Sequence, residues 1–187
     1  MANSTKVITG PKTRWSYVNV LQKDNNDKYS VSLIIPKDDL TTVKAIKEAI
    51  KRCYDEDDNK LKRSNTKVAL NKLQLPLHDG DEERPEDSNY ANAYYINAKA
   101  TRQPDVVDKQ LQPILDEEEV YSGCYGRASI SFYAYNSNGN MGIACGLNNL
   151  QKVKDGERLG GGFTKAEDDF NDGFRFEEDD DDFDPLA

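Results

Sequence analysis

Histidine is nearly absent from this chain. His78 is the only one in 187 residues. That excludes any metal centre built from several imidazoles and leaves a Ser-His-Asp triad a single candidate base. Cysteine is scarce too. Cys53, Cys124 and Cys145 are odd in number, widely spaced and never in a CxxC pair. Neither a zinc ribbon nor a disulfide framework is indicated, and reduced thiols in a cytoplasm are expected. No run of about 18 apolar residues exists, so no membrane-spanning helix is expected. The start, Met1-Ala2-Asn3-Ser4-Thr5-Lys6, lacks an apolar core segment, and no secretion signal is expected. The glycines Gly160-Gly161-Gly162 have no Lys-Ser/Thr partner, which removes a phosphate-cradling P-loop. No internal repeat is found, and no cofactor or metal is expected.

What is present is charge, unevenly spread. The formal net charge is −9. Residues 167–187 hold eleven carboxylates and one basic residue, Arg175, interleaved with Phe170, Phe174, Phe176 and Phe183. The 166 residues before them carry 24 Lys/Arg against 23 Asp/Glu, so the body is +1 and the tail −10. A block of like charge repels itself and cannot bury enough apolar surface to fold, so a disordered acidic tail behind a glycine hinge is expected. The candidate regulatory residues there are Phe174, Phe176, Asp179, Asp180, Asp181, Asp182 and Phe183. Such a segment imitates a nucleic-acid backbone: flexible, polyanionic, with flat rings spaced along it. Its 21 residues reach about 70 Å when extended, enough to return to a groove on the same body.

In the body, period-two alternation dominates. Residues 6–9 form a short strand. Residues 14–21 alternate, with Ser16, Val18 and Val20 on one face and Trp15, Tyr17 and Asn19 on the other. The Asp24-Asn25-Asn26-Asp27 cluster is a turn. Tyr29, Val31, Leu33 and Ile35 then share the core face of a strand that Pro36 stops. Leu40, Val43, Ile46, Ile50 and Cys53 recur at helical spacing behind a cap at Asp38, and the helix should end within residues 55–58. Alternation returns at residues 94–102. It is strongest at 124–135, where Gly126, Ala128, Ile130, Phe132 and Ala134 face inward. After the turn at 136–140, Ile143, Cys145 and Leu147 face inward again. The pattern predicts a mainly β protein: a curved antiparallel five-stranded barrel of oligonucleotide-binding (OB) type, with an inserted amphipathic α-helix. Residues 1–159 make the domain, with 60–92 a long insertion, partly mobile; residues 160–187 make the hinge and tail.

The outward face of the strongest strand carries Tyr125, Arg127, Tyr133 and Tyr135. Neighbouring segments offer Tyr95 and Lys99, Trp15 and Tyr17, with Lys28 and Arg102 as flanking cations. Binding unpaired nucleic acid without sequence preference needs rings on which bases lie and cations that follow the phosphates, and stacking is worth about 1–3 kcal/mol per base. These ten residues are therefore the candidate DNA-binding set. Two other readings use other features. An acidic mimic of DNA, inhibiting a DNA-binding enzyme, would use the tail. A metal-dependent nuclease would use the carboxylates of the run from Asp79 to Asp87 beside His78.

Several stretches are similar to a family of bacteriophage single-stranded DNA-binding proteins, long catalogued only as a domain of unknown function. They are Arg14-Trp15-Ser16-Tyr17-Val18, Lys28-Tyr29-Ser30-Val31-Ser32-Leu33-Ile34-Ile35-Pro36, Asp79-Gly80-Asp81-Glu82, Tyr95-Ile96-Asn97-Ala98-Lys99, Tyr121-Ser122-Gly123-Cys124-Tyr125-Gly126-Arg127-Ala128, and Gly146-Leu147-Asn148-Asn149-Leu150-Gln151-Lys152. The resemblance spans nearly the whole body. It implies an OB fold, no enzymatic activity, and a role in phage DNA replication or recombination in the cytoplasm of an infected bacterium. It also implies that Tyr95, Lys99, Tyr125 and Arg127 lie near the DNA. The implied partners are single-stranded DNA and, through the acidic tail, replication or recombination proteins; a homodimer is compatible with it. The tail is similar in kind to those of other single-strand binders, but it ends Phe183-Asp184-Pro185-Leu186-Ala187, without a terminal Phe.

Overall fold

The computed structural model describes residues 5–159, 166 and 170–174. The hinge at Gly160-Gly161-Gly162 and the tail residues Phe176, Asp179, Asp180, Asp181, Asp182 and Phe183 lie outside the described residues. Five strands close a barrel: β2 (Arg14–Asn19), β3 (Tyr29–Pro36), β7 (Ala93–Ala100), β10 (Asn140–Lys154) and β9 (Tyr125–Ser137), each paired with the next and β9 returning to β2. The short β1 (Lys6–Ile8) continues the β2 side of the wall along β9.

The expected five-stranded OB-type barrel with its inserted helix is present, and one of its seams is parallel. β7 and β10 are parallel, with Cys145 opposite Ala98 and Gly146 opposite Lys99. The reason is parity: neighbours round a closed ring of five strands cannot all alternate in direction, so at least one pair must run the same way. That seam falls between the third and the last barrel strand, the arrangement of an OB-type barrel.

Local chemistry sets the corners. Asn138 and Gly139 both take positive φ (51° and 85°) between the paired Ser137 and Asn140, the two-residue turn that Asn-Gly favours. In the β2–β3 loop, Asp24 Oδ1 accepts from the amides of Asn26 and Lys28, at 2.8 and 3.1 Å, and Ser30 Oγ donates to Oδ2. The helix α1 (Leu40–Glu56) is capped by Asp39, one residue later than expected, whose side chain accepts from Thr42 N. Val43, Ile46, Ala49, Ile50 and Cys53 are buried on one stripe that packs towards β1, β9 and β10. Leu40, at the first turn, stays exposed.

β2 departs from simple alternation. Trp15 pairs with Leu33 and Ser16 with Ser32, but Asn19 pairs with Ser30, so one extra residue bulges between Ser16 and Asn19. Tyr17 takes a φ of 48° there. Trp15, before the bulge, faces the core; the bulge then pushes Tyr17 outward and brings Val20 onto the same core side as Trp15, instead of aligning Ser16, Val18 and Val20.

The segment between α1 and β7 is organised. β4 (Lys62–Arg63) and β5 (Thr66–Lys67) pair, Leu61 and Leu73 are buried, and β6 (Leu77–Asp79) pairs with β7. The α2 turn (Gly80–Glu83) and residues 88–90 then fold over the outer faces of β3 and β7, where Tyr90 packs with Ile34, Ala93 and Tyr95. Lys37 fastens this segment: its Nζ lies 2.8 Å from both Asp79 Oδ1 and Asp81 Oδ2. Asp79 also caps α2, and Asp87 caps the 88–90 turn. The three cysteines are buried and free, and burial pushes each thiol pKa up, as in inert core thiols.

The hydrogen bonds to Lys37 lower the Asp79 and Asp81 pKa values. Their contribution is therefore full above the ordinary carboxylate range, about pH 4, and is lost as pH falls through the lowered values. In Lys37→Met, amide exchange should quicken selectively at residues 79–92 at neutral pH, with the barrel amides unchanged. Hydrogen-exchange mass spectrometry reads this directly.

Candidate nucleic-acid interface

The barrel wall is built without anions. None of the residues of β2, β3, β7, β9 and β10 is Asp or Glu, although the chain carries 34 of them. The carboxylates stand in α1, the insertion, the loops and the tail. Cations on such a wall, Lys99 and Arg127 among them, meet no like-strand acid that would neutralise them. A polyanion lying along it meets no repulsion from the strands.

A continuous cleft crosses this wall. One part, about 620 Å³, is lined by Lys28, Lys99, Arg102, Gln103, Tyr133 and Asn148 with their neighbours. The other, about 580 Å³, is lined by Gln74, His78, Asn97, Lys99, Tyr133 and Tyr135 with theirs. Lys99 and Tyr133 belong to both, so they mark the waist. Their positions follow from strand geometry. The outward residues of β7 include Asn97 and Lys99, and those of β9 include Tyr133 and Tyr135, while Ile96, Ala98, Ile130 and Phe132 fill the core. Tyr133 is 52% exposed, a ring left open to solvent on the cleft wall. Tyr135 Oη donates to Gln74 Oε1 at 2.8 Å, which fixes its ring at the far part. The Asp24 turn sets Lys28 at the opposite rim. Two carboxylates reach the cleft, Asp105 and Glu83, and Glu83 is held 2.8 Å from His78 Nδ1.

Of the ten expected residues, Lys28, Lys99, Arg102, Tyr133 and Tyr135 come together in this cleft. The other five do not. Trp15 is 0% exposed. Its indole packs over Gly126, where an added Cβ would lie 2.3 Å from the ring, and its Nε1 donates to Gly126 O at 3.2 Å. Trp15 is thus a core residue, and its place in the binding set is corrected. Tyr95 does face outward, but the insertion covers it to 7% exposure: His78 stacks on it at 4.9 Å, Tyr90 meets it edge-on, and Arg84 lies 5.0 Å from its centroid. Tyr17, 60% exposed, borders the same Arg84. Hydrogen bonds with Tyr95 and Tyr17 raise the Arg84 pKa further, so this guanidinium stays charged. Tyr125 lies between Arg14 (5.1 Å) and Lys154 (4.7 Å), and its ring closes on Gly156. There it anchors the chain leaving β10. Arg127 is exposed beside Gln151, nearer that end of the ribbon than the cleft. In the tail, Phe174 is exposed.

The expected set leaves out Asn97, Asn148, His78, Gln74 and Arg84. Asn148 owes its place to a second bulge, between Leu147 and Asn149, which turns its amide toward Ser131 Oγ (2.9 Å) and Ser129 Oγ (3.4 Å). Uncharged amides carry no periodicity or charge signal. The acid-free strands were the signal available in the sequence. In the run from Asp79 to Asp87, Asp79 and Asp81 pair with Lys37, Glu83 meets His78, and Asp79 and Asp87 serve as caps; among the described residues no group of three or more His, Cys, Asp or Glu could hold a metal ion. Among the described residues no helix is long and apolar enough to cross a membrane.

Comparison with known proteins gives a consistent result. The family model described as Enterobacter phage Enc34, ssDNA-binding protein, matches residues 5–184. Protein p50 of Acyrthosiphon pisum secondary endosymbiont phage 1 is 30% identical over 148 residues, 78% of this chain and 79% of that protein. The single-stranded DNA-binding protein from bacteriophage Enc34 in complex with ssDNA has a similar fold, with a TM-score of 0.72 at 24% identity, covering 84% of this chain and 90% of that one. Bacteriophage T7 gp2.5, a single-stranded DNA binding protein, shares the fold more distantly, with a TM-score of 0.58 at 16% identity over 91% of this chain and 94% of that one.

Burial separates the aromatic residues into two experimental classes. Trp15→Ala should cost about 3–5 kcal/mol of stability, as removal of a fully buried large ring does. Tyr133→Ala should change stability by no more than about 0.5 kcal/mol, as at an open surface site. Urea denaturation of the two variants checks the contrast.

Proposed function

The chain belongs to the family of the Enterobacter phage Enc34 ssDNA-binding protein, and from that membership we propose that it binds single-stranded DNA without sequence preference and acts in phage DNA replication or recombination. The observation that carries the reading is the cleft itself: an open tyrosine, Tyr133, with Tyr135 beyond it and Lys28, Lys99 and Arg102 around it, on barrel strands free of acids, with Asp105 and Glu83 the two carboxylates in its lining. Bases stack on the rings, and the ammonium and guanidinium groups follow the phosphates. Stacking tolerates any base and the phosphate contacts are the same for every sequence, so affinity comes mainly from stacking and counterion release. The protein works as a binder and catalyses no reaction, in the cytoplasm of the infected host.

The acidic tail competes with DNA for the cleft and offers a surface to replication or recombination proteins. Its support is the charge split between a +1 body and a −10 tail, together with phenylalanines placed among the carboxylates. Phe170 and Phe174 are exposed. A cleft that accepts phosphates and bases also accepts carboxylates and phenyl rings, more weakly.

Tyr133→Ala should weaken oligo(dT) binding by about 1–3 kcal/mol, the worth of one stacked base. Lys99→Gln should lower the slope of log K against log salt by about 0.7, one phosphate's share for a single strand. Intrinsic fluorescence quenching across a salt titration reads both, and unchanged affinity and slope in the two variants would move the site away from the cleft. Removal of residues 167–187 should tighten binding, most at low salt. Equal affinities of the full-length and shortened proteins at every salt concentration would remove the competition.

A further inference from the structure

Glycine inside a strand costs stability, because it adds backbone entropy to the unfolded chain and packs nothing. Each such glycine therefore has a reason, and two on this barrel differ in theirs. Gly126 is glycine for the fold, since the Trp15 ring occupies the space a side chain would take. Gly146 has no such occupant. A Cβ built there would meet nothing closer than Ser131 O at 3.6 Å and Tyr133 Cε1 at 3.7 Å, ordinary van der Waals contacts. Its backbone is regular strand. The fold leaves room for a side chain at this position, and the chain does not use it.

The register shows what lies around it. One row of partners crosses the outer wall through four strands: Lys6 on β1 opposite Ser131 on β9, Ser131 opposite Gly146 on β10, and Gly146 opposite Lys99 on β7. All four stand on the outward side, with Lys6 and Lys99 exposed. Three strand spacings of about 4.8 Å separate the two lysines by about 14 Å. Between them lie Ser131, buried under the Asn148 amide that donates to its Oγ at 2.9 Å, and the bare backbone of Gly146, with Tyr133 standing beside it. The row is a low saddle with a cation at each end.

Resting on the ssDNA-binding reading above, we propose that the single strand does not stop at the Lys99–Tyr133 waist but crosses β10 and β9 over Gly146 to reach Lys6, which takes a phosphate at the far rim. Gly146 is the contact floor of this crossing. Its missing side chain lets the polynucleotide approach the β10 backbone closely, and Tyr133 stacks a base at the edge of the same passage. Lys6 and Gly146 thereby join the binding surface, which extends from the cleft onto β1.

The test compares Gly146→Val and Lys6→Gln with the wild-type chain and with Tyr133→Ala. A β-branched residue suits a strand, so Gly146→Val should melt at or above the wild-type temperature while binding oligo(dT) at least tenfold more weakly. Lys6→Gln should lower the salt slope by about 0.7. Independently of any variant, the Gly146 amide resonance of the wild-type protein should shift on addition of oligo(dT). Wild-type affinity in Gly146→Val, or an unmoved Gly146 amide, together with a loss in Tyr133→Ala, would overturn the crossing and leave the cleft reading intact. Should Gly146→Val fail to fold, the amide shift and the Lys6→Gln slope decide the matter. Absence of oligo(dT) binding by the wild-type protein would overturn both readings at once.

Discussion

Closing five strands into a ring forces two neighbours to run in the same direction, and the position of that parallel seam determines the rest of this molecule. Because β7 meets β10 there, Lys99 lands in register with Gly146, and the β9–β10 hairpin sets Tyr133 and Tyr135 alongside. Had the ring closed elsewhere, the same residues would be scattered over separate faces. The seam depends in turn on the Asn138-Gly139 turn, which folds β10 back on β9, and on Trp15, which locks β2 to β9 through Gly126. Core and site are thus one construction. The residues that hold the barrel shut point inward, and their immediate neighbours in sequence make the cleft.

Charge is arranged to match. Carboxylates are excluded from the barrel strands and concentrated in loops, helix, insertion and tail. The whole-chain pI of about 4.7 describes none of this. An acidic protein can present strands whose cations meet few carboxylates, and the acidity elsewhere discourages loose attachment of polyanions to its other sides.

Much of this was legible in the sequence. Alternation identified β3, β7, β9 and β10 with the correct core faces, since the apolar residues that fill the barrel recur at every second position in each, even where the insertion covers part of the outer face of β3 and β7. The helical stripe from Val43 to Cys53 was equally plain. Alternation failed at β2, where the bulge at Tyr17 lets Trp15 before it and Val20 after it both face the core; a bulge shifts every later residue to the opposite face and leaves no mark in composition. The tyrosines were harder. Tyr133, Tyr125 and Tyr95 are alike in pattern, and only tertiary neighbours distinguish them. Tyr133 stands open, Tyr125 is wedged between Arg14 and Lys154, and Tyr95 lies under the insertion. The β8 strand (Asp105–Val107) that borders β10 was not visible at all, because three residues are too few to show a period.

Leu159 packs against the Ile34, Tyr90, Ala93 and Tyr95 cluster, and its amide donates to Ser122 O. The chain beyond it is therefore moored to the body at a defined point. A moored ligand is governed by effective molarity, on the order of mM for a short flexible connection. That quantity is the same in one copy as in a thousand: dilution cannot lower it, and abundance of the protein cannot raise it. The competition proposed above would be set by chain length and by the ionic strength of the surroundings, and would be indifferent to how much of the protein has been made.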